Sequence, residues 1–322
     1  MGLGSGGHAM IGNKRTGWIV YNGGLRLEKF TEQLDWLGQT LQDFGIKVIQ
    51  IGNHELTACV RKGDPALLYG GPDHGILPVW MPDSLPKPDF VLFWDKDVRL
   101  ASLMERVGFR LFNSSSAIAA CDDKGMTHQL LSGHGILMPD TLIAPFFYPG
   151  FAPEPDDFTT LSEKELGYPV VVKESYGSFG AQVHLAKDRR ELDALHGQMR
   201  FVPHLCQRFI AASFGRDVRL QVVGTRVVAA MLRRSNTDFR ANISAGGHME
   251  PFDPPDAFRK MAVDATGILR ADFAGVDILF GADGEPVLCE VNSNAHMRNI
   301  YQCTGVNVPY EIAKYLTNQL IG

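Results

Sequence analysis

The chain has 322 residues, of which 45% are hydrophobic and 21% are charged, and its formal net charge is −5. This composition is typical of a globular protein, and the length indicates two or three packed units. A net negative chain is unlike a dedicated nucleic-acid-binding protein, which usually carries a strong basic excess. No apolar run approaches the roughly 20 residues that a membrane-spanning helix needs. We therefore expect neither nucleic acid nor a membrane as a partner.

Two features of the sequence bear on where the protein resides. Residues 1–16 are Gly-rich and lack the apolar core of a signal peptide, so we interpret them as a disordered or tag-like segment. The five cysteines are scattered and form no CxxC pair. This spacing favours free thiols in a reducing environment, and we predict a cytoplasmic location.

Residues 17–112 are predicted to form an amino-terminal α/β domain. Its strand patterns cover residues 18–21, 47–51 and 90–93. Apolar residues recur at helical spacing between the first two, and a Pro- and Gly-rich connection precedes the third. This alternation indicates a parallel sheet with helical crossovers. Asp95, Lys96 and Arg99 follow the third strand, and we interpret them as a solvated charged face, with binding of an acyl substrate as the less favoured alternative.

Residues 113–203 and 204–322 are predicted to form two α+β subdomains. Asp122 or Asp123 can cap a helix that ends near Gly133. Closely spaced strand patterns then follow, at residues 169–173, 182–186, 206–210, 218–223 and 227–232. Their short connections predict a largely antiparallel arrangement. The Pro-rich, aromatic segment 145–157 is predicted to be a surface loop.

An acidic hairpin near the carboxyl end is the sharpest local signal. If Asp283-Gly284 forms a two-residue turn, Asp277 lies opposite Glu290, and Asn292 shares a face with Glu290. Facing carboxylates repel, and burying them is costly unless a cation lies between them. Two carboxylates and an amide oxygen suit Mg²⁺ that is held jointly with phosphates. We therefore predict a metal site, with a solvated polar face as the alternative.

A lysine and a glycine-containing loop follow one buried-looking strand. Lys173 ends the strand at residues 169–173, and residues 174–180 include two glycines. Such a loop can offer backbone N–H groups to phosphates, and the lysine can add a point charge. An ordinary hairpin whose lysine reaches solvent is the alternative. Lys124 lies at a helix start, where a cation opposes the helix dipole unless a phosphate offsets it.

Seven motifs occur in a familiar order along the chain. They are Asp123-Lys124, Pro169-Val170-Val171-Val172-Lys173, Gly215-Arg216-Asp217-Val218-Arg219, Val227-Val228-Ala229-Ala230-Met231, Phe239-Arg240-Ala241-Asn242, Gly275-Val276-Asp277 and Glu290-Val291-Asn292. This order resembles the ATP-grasp superfamily, and within it the RimK-type glutamate ligases and related amino-acid ligases. The resemblance covers residues 113–321 closely, and the amino-terminal part is similar in layout.

The resemblance implies a fold of mixed α/β and α+β class. In this ATP-grasp fold, an amino-terminal parallel α/β (pre-ATP-grasp) domain precedes two α+β subdomains that clasp ATP. The implied activity is ATP-dependent ligation of a carboxylate to an amine through an acylphosphate, with glutamate or another amino acid joined to a small molecule, peptide or protein terminus. The implied cofactors are ATP and Mg²⁺, with Mn²⁺ as an alternative ion. Relatives are often dimers or tetramers, so a homo-oligomer is expected.

The same resemblance assigns roles to residues by position. The residues that would bind ATP are Lys124, Lys173, Tyr176, Gly177, Ser178, Gly180, Gln207, Arg208, Phe209, Ile210 and Asp217. The metal ligands would be Asp277, Glu290 and Asn292. The catalytic set is Arg240, Asn242 and Arg298. Of these, Arg240 and Asn242 would face the acylphosphate, and Arg240 and Arg298 are the candidates for the cation beside the tetrahedral oxyanion.

Two departures from the family pattern concern the substrates. Arg208 stands where the family usually has a glutamate, so contacts with adenine are expected to differ. Residues 293–298 replace the usual Ala-Ser-Pro-Gly, which puts glutamate as the substrate in doubt. His296 in this segment could bind a substrate or make a structural hydrogen bond, and both readings stay open.

Two other functions are weighed against a ligase. A non-catalytic ATP-binding protein would be favoured by the loss of a metal ligand or a phosphate-binding lysine, and neither is lost. A dinucleotide-dependent oxidoreductase would need a GxGxxG motif that opens a helix. Only Asn22-Gly23-Gly24 follows the first strand pattern, so the motif is incomplete and the acidic hairpin would go unexplained.

Overall fold

A computed structural model describes residues 15–321, apart from residues 72–73, 78, 82, 154–155, 178–179, 242 and 244–245. The predicted tag-like segment 1–16 lies outside the described residues except for its last two, and Thr16 begins the first strand. Within the described part of the chain, no helix combines the length and apolar character needed to cross a membrane.

The amino-terminal region contains the predicted parallel sheet and a second, antiparallel sheet. Its elements are β1 (Thr16–Tyr21), α1 (Glu28–Asp43), β2 (Lys47–Gly52), β3 (Leu56–Arg61), β4 (Asp64–Tyr69), β5 (Gly75–Leu77), β6 (Phe90–Trp94), α2 (Val98–Arg106) and β7 (Leu111–Phe112). The parallel sheet has the order β2-β1-β6-β7, which confirms the prediction. The sheet β3-β4-β5 was not predicted, because most side chains of β3 are not buried and give no clear apolar pattern.

The middle region forms a small antiparallel sheet covered by helices. Its elements are α3 (Ser115–Asp122), α4 (Lys124–Leu131), β8 (Thr141–Ile143), α5 (Phe158–Leu166), β9 (Val170–Glu174), β10 (Val183–Ala186), α6 (Arg189–Met199) and β11 (His204–Arg208). The strand order is β10-β9-β11-β8. Asp123 caps α4 as predicted, because its Oδ1 accepts a hydrogen bond of 3.1 Å from the Met126 N–H.

The carboxyl-terminal region is a larger antiparallel sheet. Its elements are β12 (Arg216–Val223), β13 (Arg226–Arg234), β14 (His248–Pro251), α7 (Asp256–Ile268), β15 (Phe273–Phe280), β16 (Pro286–Asn292), α8 (Arg298–Thr304) and α9 (Val308–Ile321). The strand order is β14-β13-β12-β15-β16. The core of this region packs α7 against β12 and β15, with Phe258, Leu220 and Val276 fully buried.

Three segments pack outside the units in which the sequence places them. Helices α3 and α4 share a core with β12 and β15. Helix α9 packs against α1, so Leu316 lies in one cluster with Leu37 of the amino-terminal region. Strand β11 begins at the predicted boundary between residues 203 and 204 but pairs with β9 and β8. These contacts cross the predicted domain boundaries, which therefore stay a prediction.

Candidate active site

A cavity of about 840 Å³ lies where the three regions meet. The carboxyl ends of β1 and β6 form one part of its wall, and residues of β9, β11 and the β12–β16 sheet form the rest. Of the predicted site residues that the structure describes, all but Tyr176 line it: Lys124, Lys173, Gly177, Gly180, Gln207, Arg208, Phe209, Ile210, Asp217, Arg240, Asp277, Glu290, Asn292 and Arg298. Tyr176 is half-exposed, and Ser178 and Asn242 lie outside the described residues.

The acidic hairpin has the predicted pairing but a different turn. Asp277 lies opposite Glu290, as predicted. The two-residue turn at Asp283-Gly284 is wrong, because the Gly281 N–H donates to the Glu285 carbonyl and closes a three-residue loop. A β-bulge at Cys289 inserts one residue into β16 and restores the expected pair. The register at the predicted metal site thus depends on two irregularities, the longer turn and the bulge, that compensate each other.

The oxygen ligands of this hairpin are partly occupied by hydrogen bonds. Asn292 Nδ2 donates to Glu290 Oε1 at 2.8 Å, so the amide oxygen of Asn292 is left to face the cavity. Asp277 is 4% exposed. Among the described residues, no group of three His, Cys, Asp or Glu side chains could hold a metal. The set Asp277, Glu290 and Asn292, with its amide oxygen, has the hard oxygen chemistry that Mg²⁺ prefers.

Two arginines neutralise the buried carboxylate of Asp277. Arg219 Nη2 donates to Asp277 Oδ2 at 2.6 Å, and Arg233 Nη2 lies 2.9 Å from the same oxygen. Arg233 Nε also donates to Asp217 Oδ1 at 2.5 Å. Burial disfavours the ionised Asp277, but the two guanidiniums outweigh it and hold its pKa below the usual range. Burial raises the pKa of Asp217, and the charge of Asp277 adds to this effect.

Arg219 and Arg233 are site residues that the sequence did not predict. Arg219 could have been found, because it lies two residues after Asp217 and therefore on the same face of β12. Arg233 could not, since a two-residue turn at Gly224-Thr225 would place Asp217 opposite Leu232. A register shift between Gln221 and Val222 moves the pairing by one residue and brings Arg233 opposite Asp217.

The two predicted lysines lie beside the glycine loop. Lys124 Nζ is 3.4 Å from the Gly177 carbonyl oxygen and 3.5 Å from that of Ser175. Lys173 is buried, and its Nζ lies 3.8 Å from Cys289 Sγ. Burial lowers the pKa of Lys124, with Lys173 adding to the effect and Glu290 opposing it. Two lysine ammonium groups thus line the cavity beside the glycine loop.

Arg208 turns away from the cavity although part of it forms the wall. Its Nε bonds Asp140 at 2.8 Å, and its Nη1 and Nη2 donate to the carbonyls of Leu166 and Glu165 at 2.8 and 2.6 Å. These carbonyls belong to the last turn of α5, where a cation is favourable. The arginine that replaces the family's usual glutamate therefore stabilises a helix end.

The two predicted catalytic arginines lie in different settings. Arg240 Nη1 donates to the Gly180 carbonyl at 2.6 Å, and its Nη2 pairs with Asp238 at 2.7 Å. It therefore joins the glycine loop to the segment after β13. Arg298 forms an ion pair with Glu32 of α1, and both side chains are partly exposed. The pair places Arg298 at the rim of the cavity.

Polar groups at the amino-terminal end of the cavity form hydrogen bonds across regions. His296 Nε2 forms a hydrogen bond of 3.1 Å with the Lys29 carbonyl, which agrees with the second of its two predicted roles, a structural hydrogen bond. Burial lowers the pKa of His296. The solvated-face interpretation is wrong for Asp95, which is buried and accepts from Asn53 Nδ2 at 2.9 Å. Burial raises the pKa of Asp95. It lies at the carboxyl edge of a parallel sheet, where α/β proteins commonly place ligands.

Comparison with known proteins assigns the family. A family model described as the RimK-like ATP-grasp domain matches residues 121–316. The chain belongs to this family. A solved structure, the ATP-grasp ligase PsnB complexed with minimal precursor, superposes with a TM-score of 0.67 at 18% identity, covering 95% of this chain and 99% of that one. The predicted ATP-grasp fold is confirmed.

Curated relatives extend the comparison to named enzymes. N-acetylaspartylglutamate synthase A of Homo sapiens is 37% identical over 231 residues, which are 70% of this chain and 57% of that protein. Beta-citrylglutamate synthase B of Danio rerio is 37% identical over 231 residues, which are 70% of this chain and 55% of that protein. The matched segment spans somewhat more than half the length of these relatives.

Proposed function

We propose that this chain is an ATP-dependent ligase that joins the carboxylate of one substrate to the amine of another through an acylphosphate. The observation that carries the proposal is the meeting of two lysines, a glycine loop and three oxygen ligands in one cavity of a RimK-like ATP-grasp protein. Phosphoryl transfer needs cations around the phosphates. Amide formation needs a better leaving group than hydroxide, and the phosphate of an acylphosphate meets this need.

The phosphates of ATP would lie between β9 and the β15–β16 hairpin. Lys124 and Lys173 would bind phosphate oxygens, and the N–H groups of the glycine loop would cover them. Asp277, Glu290 and Asn292 would hold Mg²⁺, or alternatively Mn²⁺, through oxygen donors. The ion would supply positive charge next to the phosphates.

The arginines would act on the acyl group in the same cavity. Arg219, held beside Asp277, is our candidate for the cation that stabilises charge on the acyl oxygen. Arg298, which pairs with Glu32 at the rim, is the second candidate for this role. Arg240 would hold the glycine loop closed through the Gly180 carbonyl. Closure would keep water from the acylphosphate, which water would otherwise hydrolyse.

Glutamate or another amino acid is the amine that we propose. Both curated relatives are named for products that contain glutamate. The acid, which could be a small molecule, a peptide or a protein terminus, would bind at the amino-terminal end of the cavity. Asn22, Lys29 and Lys96 offer polar contacts there, beside the apolar Phe30. A homo-oligomer and a cytoplasmic location remain predictions.

A nucleotide-binding protein without ligase activity is the second candidate. It is favoured by the ion pairs of Asp277. A metal could bind this carboxylate only if Arg219 and Arg233 released some of their hydrogen bonds to it. In that case the cavity would bind ATP without transferring its phosphate. The two candidates differ in one measurable property, which is turnover that depends on an acid and an amine.

The deciding experiment measures phosphate release from Mg-ATP across pools of amino acids and small carboxylates. We expect release that needs both an acid and an amine and that is lost in the double variant Asp277→Asn, Glu290→Gln. Glu250→Gln is the matched control, because Glu250 lies on β14 and pairs with Arg234 at the surface. ATP binding without release from any pool would favour the non-catalytic candidate.

A further inference from the structure

A buried side-chain amide beside the cavity uses both of its N–H groups in hydrogen bonds. Gln207 is 2% exposed. Its Nε2 lies 2.9 Å from Thr141 Oγ1 and 2.8 Å from His128 Nε2. These two partners come from β8 and α4, so three elements meet at one side chain. The direction of each hydrogen bond decides which atom of Gln207 is left for a ligand.

We assign both partners of Gln207 as acceptors. Thr141 Oγ1 donates its own hydrogen to the Pro139 carbonyl at 2.7 Å, so it is an acceptor toward Gln207. Burial and the charge of Lys173 lower the pKa of His128 to about 4, against a hydrogen bond with the Cys289 backbone that raises it, so its ring is neutral near pH 7. We assign the ring proton to Nδ1, which lies 3.2 Å from Met138 Sδ, so that Nε2 carries the lone pair. The carboxamide therefore has one orientation.

The oxygen of this carboxamide is the atom that remains. No described residue donates a hydrogen bond to Gln207 Oε1, and Gln207 forms part of the cavity wall. The cavity wall also includes the apolar side chains of Val171, Ile210 and Leu279. Apolar side chains together with a side-chain acceptor suit a flat heterocycle that presents an amino group.

We propose that His128 is a positioning residue that makes the cavity prefer adenine over guanine nucleotides, by holding the Gln207 oxygen toward the base. The inference rests on the proposed function, in which this cavity binds a nucleoside triphosphate. The 6-amino group of adenine would donate to Gln207 Oε1. Guanine carries an oxygen at the same position, so two acceptors would face each other and both would lose their hydrogen bonds to water.

The test compares the dissociation constants of Mg-ATP and Mg-GTP, measured by titration calorimetry on the full chain. We expect the unchanged chain to prefer ATP by about tenfold or more. His128→Phe removes the acceptor, so the carboxamide can turn and offer Nε2 to guanine. The ratio of the two constants should then approach one. His128→Gln supplies an amide oxygen as acceptor and should restore the preference.

Two further variants keep the outcome interpretable. His134→Phe makes the same substitution at an exposed histidine shortly after α4 and should leave the ratio unchanged. Thr141→Val removes the other acceptor and should reduce the ratio even if His128→Phe fails to fold. If the folded His128→Phe and Thr141→Val variants keep the ratio of Mg-ATP to Mg-GTP dissociation constants of the unchanged chain, this inference is wrong and the proposed function is unaffected. Failure of the unchanged chain to bind either nucleotide would overturn the proposed function as well.

Discussion

Two parts of the cavity, around Gln207 and around Asp277, satisfy their buried polar groups in different ways. Around Gln207 the hydrogen-bond partners are neutral side chains, and we assign Gln207 as the donor to both. Around Asp277 the groups are charged, and two guanidiniums share one carboxylate. A neutral network of this kind specifies orientation, whereas an ion-pair network compensates charge and tolerates a change of partner.

This difference matches what each end would have to do. A base-recognition site must keep the same donor and acceptor pattern in every molecule, so a fixed carboxamide is suited to it. A phosphate and metal site must accept new charges on each turnover, so partners that can exchange are suited to it. The following variants, ordered from the largest expected effect to the smallest, test whether the two networks differ in this way.

Removing Arg233 should have the largest effect on stability. Arg233→Met leaves Asp217 without its ion-pair partner in a buried site, and breaking a buried pair costs about 3–5 kcal/mol of unfolding free energy. Arg234→Met is the matched control, because the neighbouring side chain is half-exposed and should contribute less than about 1 kcal/mol. Urea denaturation measures both. Equal losses in the two variants would contradict a buried charge network.

The neutral hydrogen-bond network around Gln207 should make the stability of the protein depend on pH. His128 has a folded-state pKa of about 4 against an ordinary value of 6.5. Between these values the unfolded chain binds a proton that the folded chain does not, so stability falls as the pH falls through this window, by up to about 3 kcal/mol. His128→Gln should lose less stability than the unchanged chain between pH 6.5 and 4. Parallel curves would show that His128 is not held neutral.

A smaller effect is expected from crowding the charged end. A Cβ at Gly275 would lie 2.3 Å from the Ala295 Cβ and 3.3 Å from Arg219 Cδ. Gly275→Ala should therefore lower the unfolding free energy by about 1–3 kcal/mol and displace Arg219, the candidate cation for the acyl oxygen. Gly267→Ala is the control, because Gly267 lies in α7 with open space around it and alanine favours helix. A neutral Gly275→Ala would show that the close packing of Arg219 is dispensable.

The smallest effect is expected at Arg208, which borders the cavity but points outward. Arg208→Ala should lower stability by about 1 kcal/mol, because partly exposed ion pairs and helix-end contacts contribute little. ATP affinity should change by less than about threefold. Calorimetric titration of the variant with Mg-ATP checks this. A tenfold loss of affinity would assign Arg208 to the nucleotide site.

The sequence by itself determined the local features of the site. Asp123 caps α4 and places Lys124 at its first turn, because an aspartate before a helical pattern satisfies free N–H groups. Side-chain alternation put Glu290 and Asn292 on one face, and the facing pair of Asp277 and Glu290 was predicted correctly. Motif order predicted the ATP-grasp fold. Each of these depends on residues that are close in sequence or on a pattern repeated along a strand.

Only the tertiary structure decided the partners of these residues. Arg233 meets Asp217 through a bulge whose position no local pattern marks. His128 meets Gln207 across 79 residues of chain, and α9 returns to pack on α1. Such contacts depend on how several elements pack together, since bulges and long-range packing are set by the burial of whole faces. Local residue patterns therefore indicated the candidate ligands of the site, whereas packing selected the groups that contact them.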